Sequence, residues 1–159
     1  MDLFDVAIKL EQEGNQFYTK LAQKAPTEGF ANIFKMLATD EKKHESYFRA
    51  LKERSALVSV SSTVLDEAKK VFKAFNPDTF AMTDDQIPAY EQALAVEKKS
   101  IDFYKEQLPN VEFEAEKKAL QQIIAEEQKH YAIVEEMLKL VTRPHRWVED
   151  AEFGVREEY

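Results

Sequence analysis

The two halves of this 159-residue chain align at an offset of 86 residues without a gap, and most of what they share is polar. Ala7 matches Ala93, Glu11 matches Glu97, and Phe17-Tyr18 matches Phe103-Tyr104. Glu41 matches Glu127, Lys43 matches Lys129 and His44 matches His130, while Asp40 and Glu126 agree in charge. Little else is identical. A repeat maintained for packing alone would more easily preserve Leu, Ile and Ala. Here the matches concentrate at polar positions inside apolar stripes, not along the stripes themselves.

The stripes themselves have helical spacing. A first helix is predicted from about Leu3 to Lys24, with Phe4, Ala7, Ile8, Tyr18 and Leu21 on one face. Pro26-Thr27 breaks the chain, and Thr27 is suited to cap a second helix from about Glu28 to Arg54. Its stripe is Ile33, Phe34, Leu37, His44, Phe48 and Leu51. A serine-marked loop follows (Ser55, Ser59, Ser61, Ser62), then a short amphipathic helix carrying Val64, Leu65, Ala68, Val71, Phe72 and Phe75, ended by Asn76-Pro77. A third long helix is expected from near Asp85, with Pro88 in its first turn, to Leu108 before Pro109-Asn110. A fourth runs from about Glu112 to Val141, before Thr142-Arg143-Pro144. With only 3 Gly and 5 Pro, the chain has few places to turn. Gly14 alone among the glycines lies away from a probable helix end.

Loop lengths then set the topology. The first and last connections are short, so the helices they join are antiparallel. The middle connection is about thirty residues, long enough to travel the length of a bundle and let the second and third long helices run parallel. The expected fold is therefore an all-α, four-helix bundle over residues 1–142, with one long crossover that contains a short helix. Residues 143–159 form a tail whose Trp147, Val148, Phe153 and Tyr159 favour packing on the bundle or on a second subunit.

Six of the polar positions face inward near mid-helix. Positions three, four and seven apart share a helix face. Glu11 lies between Ile8 and Tyr18, and Glu97 between Leu94 and Ile101. Glu41 and His44 are flanked by Leu37 and Phe48, and Glu127 and His130 by Ile123, Ile124 and Val134. Four carboxylates at one level of a dry core repel one another and are costly to desolvate. Protonation relieves part of that cost, and two divalent cations relieve it better. Carboxylates can bridge two metals while each imidazole caps one. Oxygen and nitrogen ligands with open positions suit non-haem iron or manganese better than calcium or structural zinc. The competing reading makes these residues a solvated edge of ordinary helices. One Glu-x-x-His is weak, but two such motifs, plus a lone Glu on each remaining helix, form the di-iron carboxylate pattern.

Other polar residues are less demanding. Tyr18 and Tyr104, seven residues after Glu11 and Glu97, could donate to a metal-bound carboxylate or serve as packed tyrosines. Asp40 and Glu126 point about 100° away from their neighbours and read as surface residues. Lys43 and Lys129 read as solvated ion-pair partners, His145 as a surface histidine, and Met36, Met82 and Met137 as packing residues.

Composition removes several classes of function. There is no cysteine, which excludes disulfides, thiolate zinc sites, iron–sulfur clusters and thiol catalysis. A net charge of −8 argues against nucleic acid and against anionic membranes as partners. No apolar run is long enough to cross a bilayer, and the acidic start, Met1-Asp2-Leu3-Phe4-Asp5, lacks the basic residues of a signal peptide. A cytoplasmic location is the default expectation.

From Leu3 to Val141 the sequence resembles the ferritin-like superfamily, and within it the small rubrerythrin-type proteins. The resemblance rests on Glu11, Glu41-Lys42-Lys43-His44, Glu97 and Glu127-Gln128-Lys129-His130, and on the segments around Glu11–Tyr18 and Ala38–His44. It implies that Glu41 and Glu127 bridge two iron ions, that Glu11 and Glu97 are terminal ligands, and that His44 and His130 each bind one ion. There are two departures. Rubrerythrins commonly carry a further glutamate three residues after the terminal glutamate of the third helix, which takes part in a redox shift of one iron. Ser100 stands there, leaving a six-ligand set closer to the bacterioferritin pattern. Full-length rubrerythrins also carry a four-cysteine rubredoxin domain, which a chain without cysteine cannot form.

The resemblance implies a di-iron oxidoreductase that reduces hydrogen peroxide or dioxygen, a role in oxidative stress, a separate rubredoxin-like electron donor, and a homodimer. Three other functions fit the same residues: a ferroxidase and iron store, a dimanganese catalase, and a metal-free bundle acting as an interaction module.

Overall fold

Asp2 and Thr27 start the first two helices, and each does so with its side chain. Asp2 Oδ1 accepts from the Asp5 amide at 2.9 Å, and Thr27 Oγ1 from the Phe30 amide at 3.1 Å, satisfying donors that a helix start otherwise leaves unpaired. In the computed structural model, which describes residues 2–54, 59–76 and 86–142, the elements are α1 (Leu3–Gln23), α2 (Glu28–Glu53), α3 (Val64–Ala74), α4 (Gln86–Gln107) and α5 (Glu114–Thr142). A single 3₁₀ turn, Leu108–Asn110, separates α4 from α5. It delays the start of α5 by two residues relative to the expected Glu112. No strand occurs among the described residues.

Cross-helix pairs fix the directions. Asp5 pairs with Lys52, Gln12 with Glu45, and Asn15 with the Ala38 carbonyl, so α1 and α2 are antiparallel. Phe34 packs on Tyr90 and Phe48 on Tyr104, so α2 and α4 run parallel. This is the ferritin-like bundle that the one long crossover predicts. α2 ends on Arg54, which has the left-handed φ of 56° common at helix C-caps. The Arg54 guanidinium lies 5.1 Å from the ring centre of Phe113, just before α5.

The interior has three layers. At one end Tyr18, Phe30, Phe34, Leu37, Tyr90 and Met137 form an apolar cluster on which α3 packs through Val64 and Ala68. At the other end Ala7, Phe48, Leu51, Tyr104, Leu120 and Ile123 form a second. Glu11, Glu41, His44, Glu97, Glu127 and His130 lie between them. Met36 and Met137 pack in the core as expected. The expectations for Asp85, Met82, His145 and the 143–159 tail concern positions outside the described residues.

Candidate metal centre

All six inward-facing residues are buried, none more than 2% exposed. They form two overlapping quartets. Glu11, Glu41, His44 and Glu127 each place one ligand atom within 4.8 Å of the others, as do Glu41, Glu97, Glu127 and His130. Glu41 and Glu127 belong to both. Both imidazoles turn Nδ1 inward. His44 Nδ1 lies 3.1 Å from Glu11 Oε1 and 3.1 Å from Glu127 Oε1. His130 Nδ1 lies 3.0 Å from Glu41 Oε1 and 3.2 Å from Glu97 Oε2. The two rings are nearly parallel, 5.7 Å apart.

Both tyrosines reach the carboxylates, each across the bundle. Tyr18 donates to Glu97 Oε2 at 2.8 Å and Tyr104 to Glu11 Oε2 at 2.5 Å. Gly14 serves the centre by having no side chain. A Cβ there would sit 2.7 Å from Glu41 Oε2, so the glycine lets the carboxylate lie against the backbone of α1. Ser100, at the equivalent place in the second half, is also buried.

The electrostatics follow from burial. Burial and the charges of Glu11, Glu127 and Glu97 raise the Glu41 carboxyl well above its usual range. Burial, with the charges of Glu11 and Glu97, pushes Glu127 up to about 8. Burial acts the same way on Glu11, but the charge and hydrogen bond of His44 outweigh it and hold Glu11 low. Burial opposes the imidazolium form of His44, yet Glu11 and Glu127 raise it to about 10. His130 is likewise lifted well above its usual value against burial, by its hydrogen bonds to Asp40 and Glu97. Burial and the neighbouring carboxylates raise both tyrosines. Without metal, the centre thus limits its negative charge by retaining protons.

Two surface expectations need correcting. Asp40 is 3% exposed and Glu126 is 8% exposed. Asp40 Oδ2 lies 3.0 Å from His130 Nε2 and accepts the Ser62 hydroxyl at 2.5 Å. Glu126 takes Lys129 Nζ at 2.9 Å and shares a cavity wall with Ser59, Val60 and Ser61. The crossover segment lies over both residues, so pointing away from the bundle axis did not mean pointing into water. Lys129 has its ion-pair partner. Lys43 is exposed and has none among the described residues. Asp40 is the site residue that the spacing argument missed. Its charge match with Glu126 across the repeat was the available signal.

The donor set fits two divalent ions. Glu127 Oε2 and His44 Nε2 are buried without a hydrogen-bond partner, Glu127 Oε1 meets only the two imidazoles, and such atoms are costly unless something binds them. Six oxygen- and nitrogen-bearing side chains in two quartets match iron or manganese in kind and number. No described helix is long and apolar enough to cross a membrane.

Fold and site together define a ferritin-like bundle with a buried carboxylate–histidine centre of the di-iron type. The family model for rubrerythrin, a ferritin-like di-iron family, matches residues 2–138, and the chain belongs to that family. Searches of the curated proteins and of the solved structures gave no match.

Proposed function

We propose that this protein is a di-iron oxidoreductase that reduces hydrogen peroxide or dioxygen. The observation that carries the reading is the sharing of Glu41 and Glu127 between two quartets that each add one glutamate and one histidine. This supports bridging by Glu41 and Glu127, terminal ligation by Glu11 and Glu97, and one ion each for His44 and His130 through Nδ1. Two ferrous ions held there would supply two electrons to hydrogen peroxide, whose O–O bond breaks as two protons enter to give two waters.

The protein's own part is positioning and exclusion. The apolar layers around Phe34 and Phe48 keep bulk water from the carboxylates. Tyr18 and Tyr104 hold Glu97 and Glu11 in place through hydrogen bonds. Asp40 holds the outer nitrogen of His130. This sequence contains no cysteine, so the electrons reach the centre from outside it, and a rubredoxin-like protein is the donor we propose.

The test begins with metal content after anaerobic incubation with ferrous iron, followed by peroxide titration of the reduced protein. Two irons per chain and one peroxide consumed per pair are expected. Oxygen release from a two-manganese form would identify a catalase instead, and many irons per chain an iron store. Failure to bind metal would leave only a bundle for protein contacts.

A further inference from the structure

The internal repeat makes the inner face of the centre nearly symmetric. Each quartet contains three glutamates and one histidine, and each tyrosine donates to the terminal glutamate of the other half. The outer face breaks that symmetry. His130 Nε2 meets Asp40 Oδ2 at 3.0 Å. Asp40 is itself held by the Ser62 hydroxyl, whose oxygen also accepts from the Val64 amide at 3.1 Å. A continuous chain of hydrogen bonds thus ties His130 to the start of α3. His44 Nε2 is fully buried and has no hydrogen-bond partner. The residue that the repeat would assign to it, Glu126, is turned to Lys129.

A carboxylate on the outer nitrogen of a ligating histidine fixes the tautomer, aims the ring and increases ligand basicity. Losing such a partner typically lowers metal affinity by about 10–100-fold. Given the reading that the quartets hold divalent ions, we propose that the two halves of the centre are inequivalent. The quartet Glu41, Glu97, Glu127 and His130 fills first, and Asp40 is the positioning residue that sets this order. Repulsion between the ions would separate two binding steps even in a symmetric centre. The claim is therefore about which histidine takes the first ion.

The experiment is anaerobic calorimetric titration of the metal-free protein with Co²⁺, using wild type, His44→Ala and His130→Ala, each with and without Asp40→Ala. Circular dichroism checks each fold. The expected result is that His44→Ala keeps the wild-type affinity for the first ion within about threefold, while His130→Ala weakens it about 10–100-fold. Asp40→Ala should weaken the first step by a similar factor in wild type and in His44→Ala, and leave His130→Ala unchanged. Asp40→Asn, whose amide oxygen can still accept from Nε2–H, should recover part of the loss. Equal weakening by the two histidine variants overturns the proposal, as does an Asp40→Ala effect that does not depend on His130. If Asp40→Ala does not fold, the histidine pair decides alone. A wild-type protein that binds no Co²⁺ overturns the functional reading and this one together, whereas two ions with interchangeable histidines overturn only this one.

Discussion

The Tyr18 hydroxyl donates to Glu97 Oε2 across the bundle at 2.8 Å, so a side chain of the first half holds a carboxylate of the second. Tyr104 returns the contact to Glu11. Replacing either tyrosine with phenylalanine keeps the ring and removes the hydrogen bond. A bond to a charged partner contributes about 1.5–3 kcal/mol, so each variant should unfold more easily than wild type by an amount in that range. Affinity for Co²⁺ should fall by about tenfold or more. Thermal melts and titration check both, and unchanged values would reduce the tyrosines to packing residues.

The metal-free protein should lose stability as pH rises. Glu127 has its folded-state pKa raised from 4.5 to about 8, and His44 from 6.5 to about 10. In both cases the folded state binds more protons than the unfolded chain between the two values. Their contributions are full below the unfolded values and are lost as pH climbs through about 8 and about 10. Glu11, held low, acts oppositely, and its contribution is lost only as pH falls below the usual carboxylate range. Metal binding must displace the retained protons, so metal affinity should rise over the same alkaline interval. Melting curves from pH 6 to pH 9, with and without Co²⁺, should therefore diverge. A melting temperature of the metal-free form that climbs with pH would contradict the assigned proton sites.

Gly14→Ala should separate stability from metal binding. Alanine in a helix interior is favoured over glycine by about 1 kcal/mol. The new Cβ would lie 2.7 Å from Glu41 Oε2, so the carboxylate must move. The metal-free variant should melt at or above the wild-type temperature, while Co²⁺ affinity drops on the order of tenfold. Retained affinity would mean that Glu41 can bind from another rotamer.

Gly29→Ala tests how α3 is seated. Its Cβ would lie 2.8 Å from Val71 Cγ1, and a β-branched side chain has few rotamers in which to retreat. Overpacking of this kind costs about 1–3 kcal/mol. Chemical denaturation should show that loss, and adding Val71→Ala should restore most of it.

The helices and the six inward residues were legible because both are properties of one helix at a time. Spacing gives the angle of a side chain around its own axis, and the repeat showed that Glu11, Glu41 and His44 have partners at the same level. What covers a side chain is a different matter. Asp40 and Glu126 were assigned to the surface on angle alone, but residues 59–63 close over them, and no periodicity encodes where a crossover will lie. The two tyrosine contacts were only half legible. Their level relative to the glutamates could be counted, whereas the fact that each reaches the opposite half depends on how the helices pack. The 3₁₀ turn at Leu108–Asn110 was hidden for a similar reason, since Pro109 marks a break without specifying its geometry.

Glu127 belongs to both quartets and is carried by α5, the last described helix. During synthesis, Glu11, Glu41 and Glu97 leave the ribosome before it. A nascent chain that has released α1, α2 and α4 therefore exposes Glu11, Glu41, His44 and Glu97 with neither quartet complete. If the quartets hold metal as proposed, neither can be filled with its full set of ligands until α5 has emerged and docked. Until then the partial set of carboxylates has to remain in water or hold its protons.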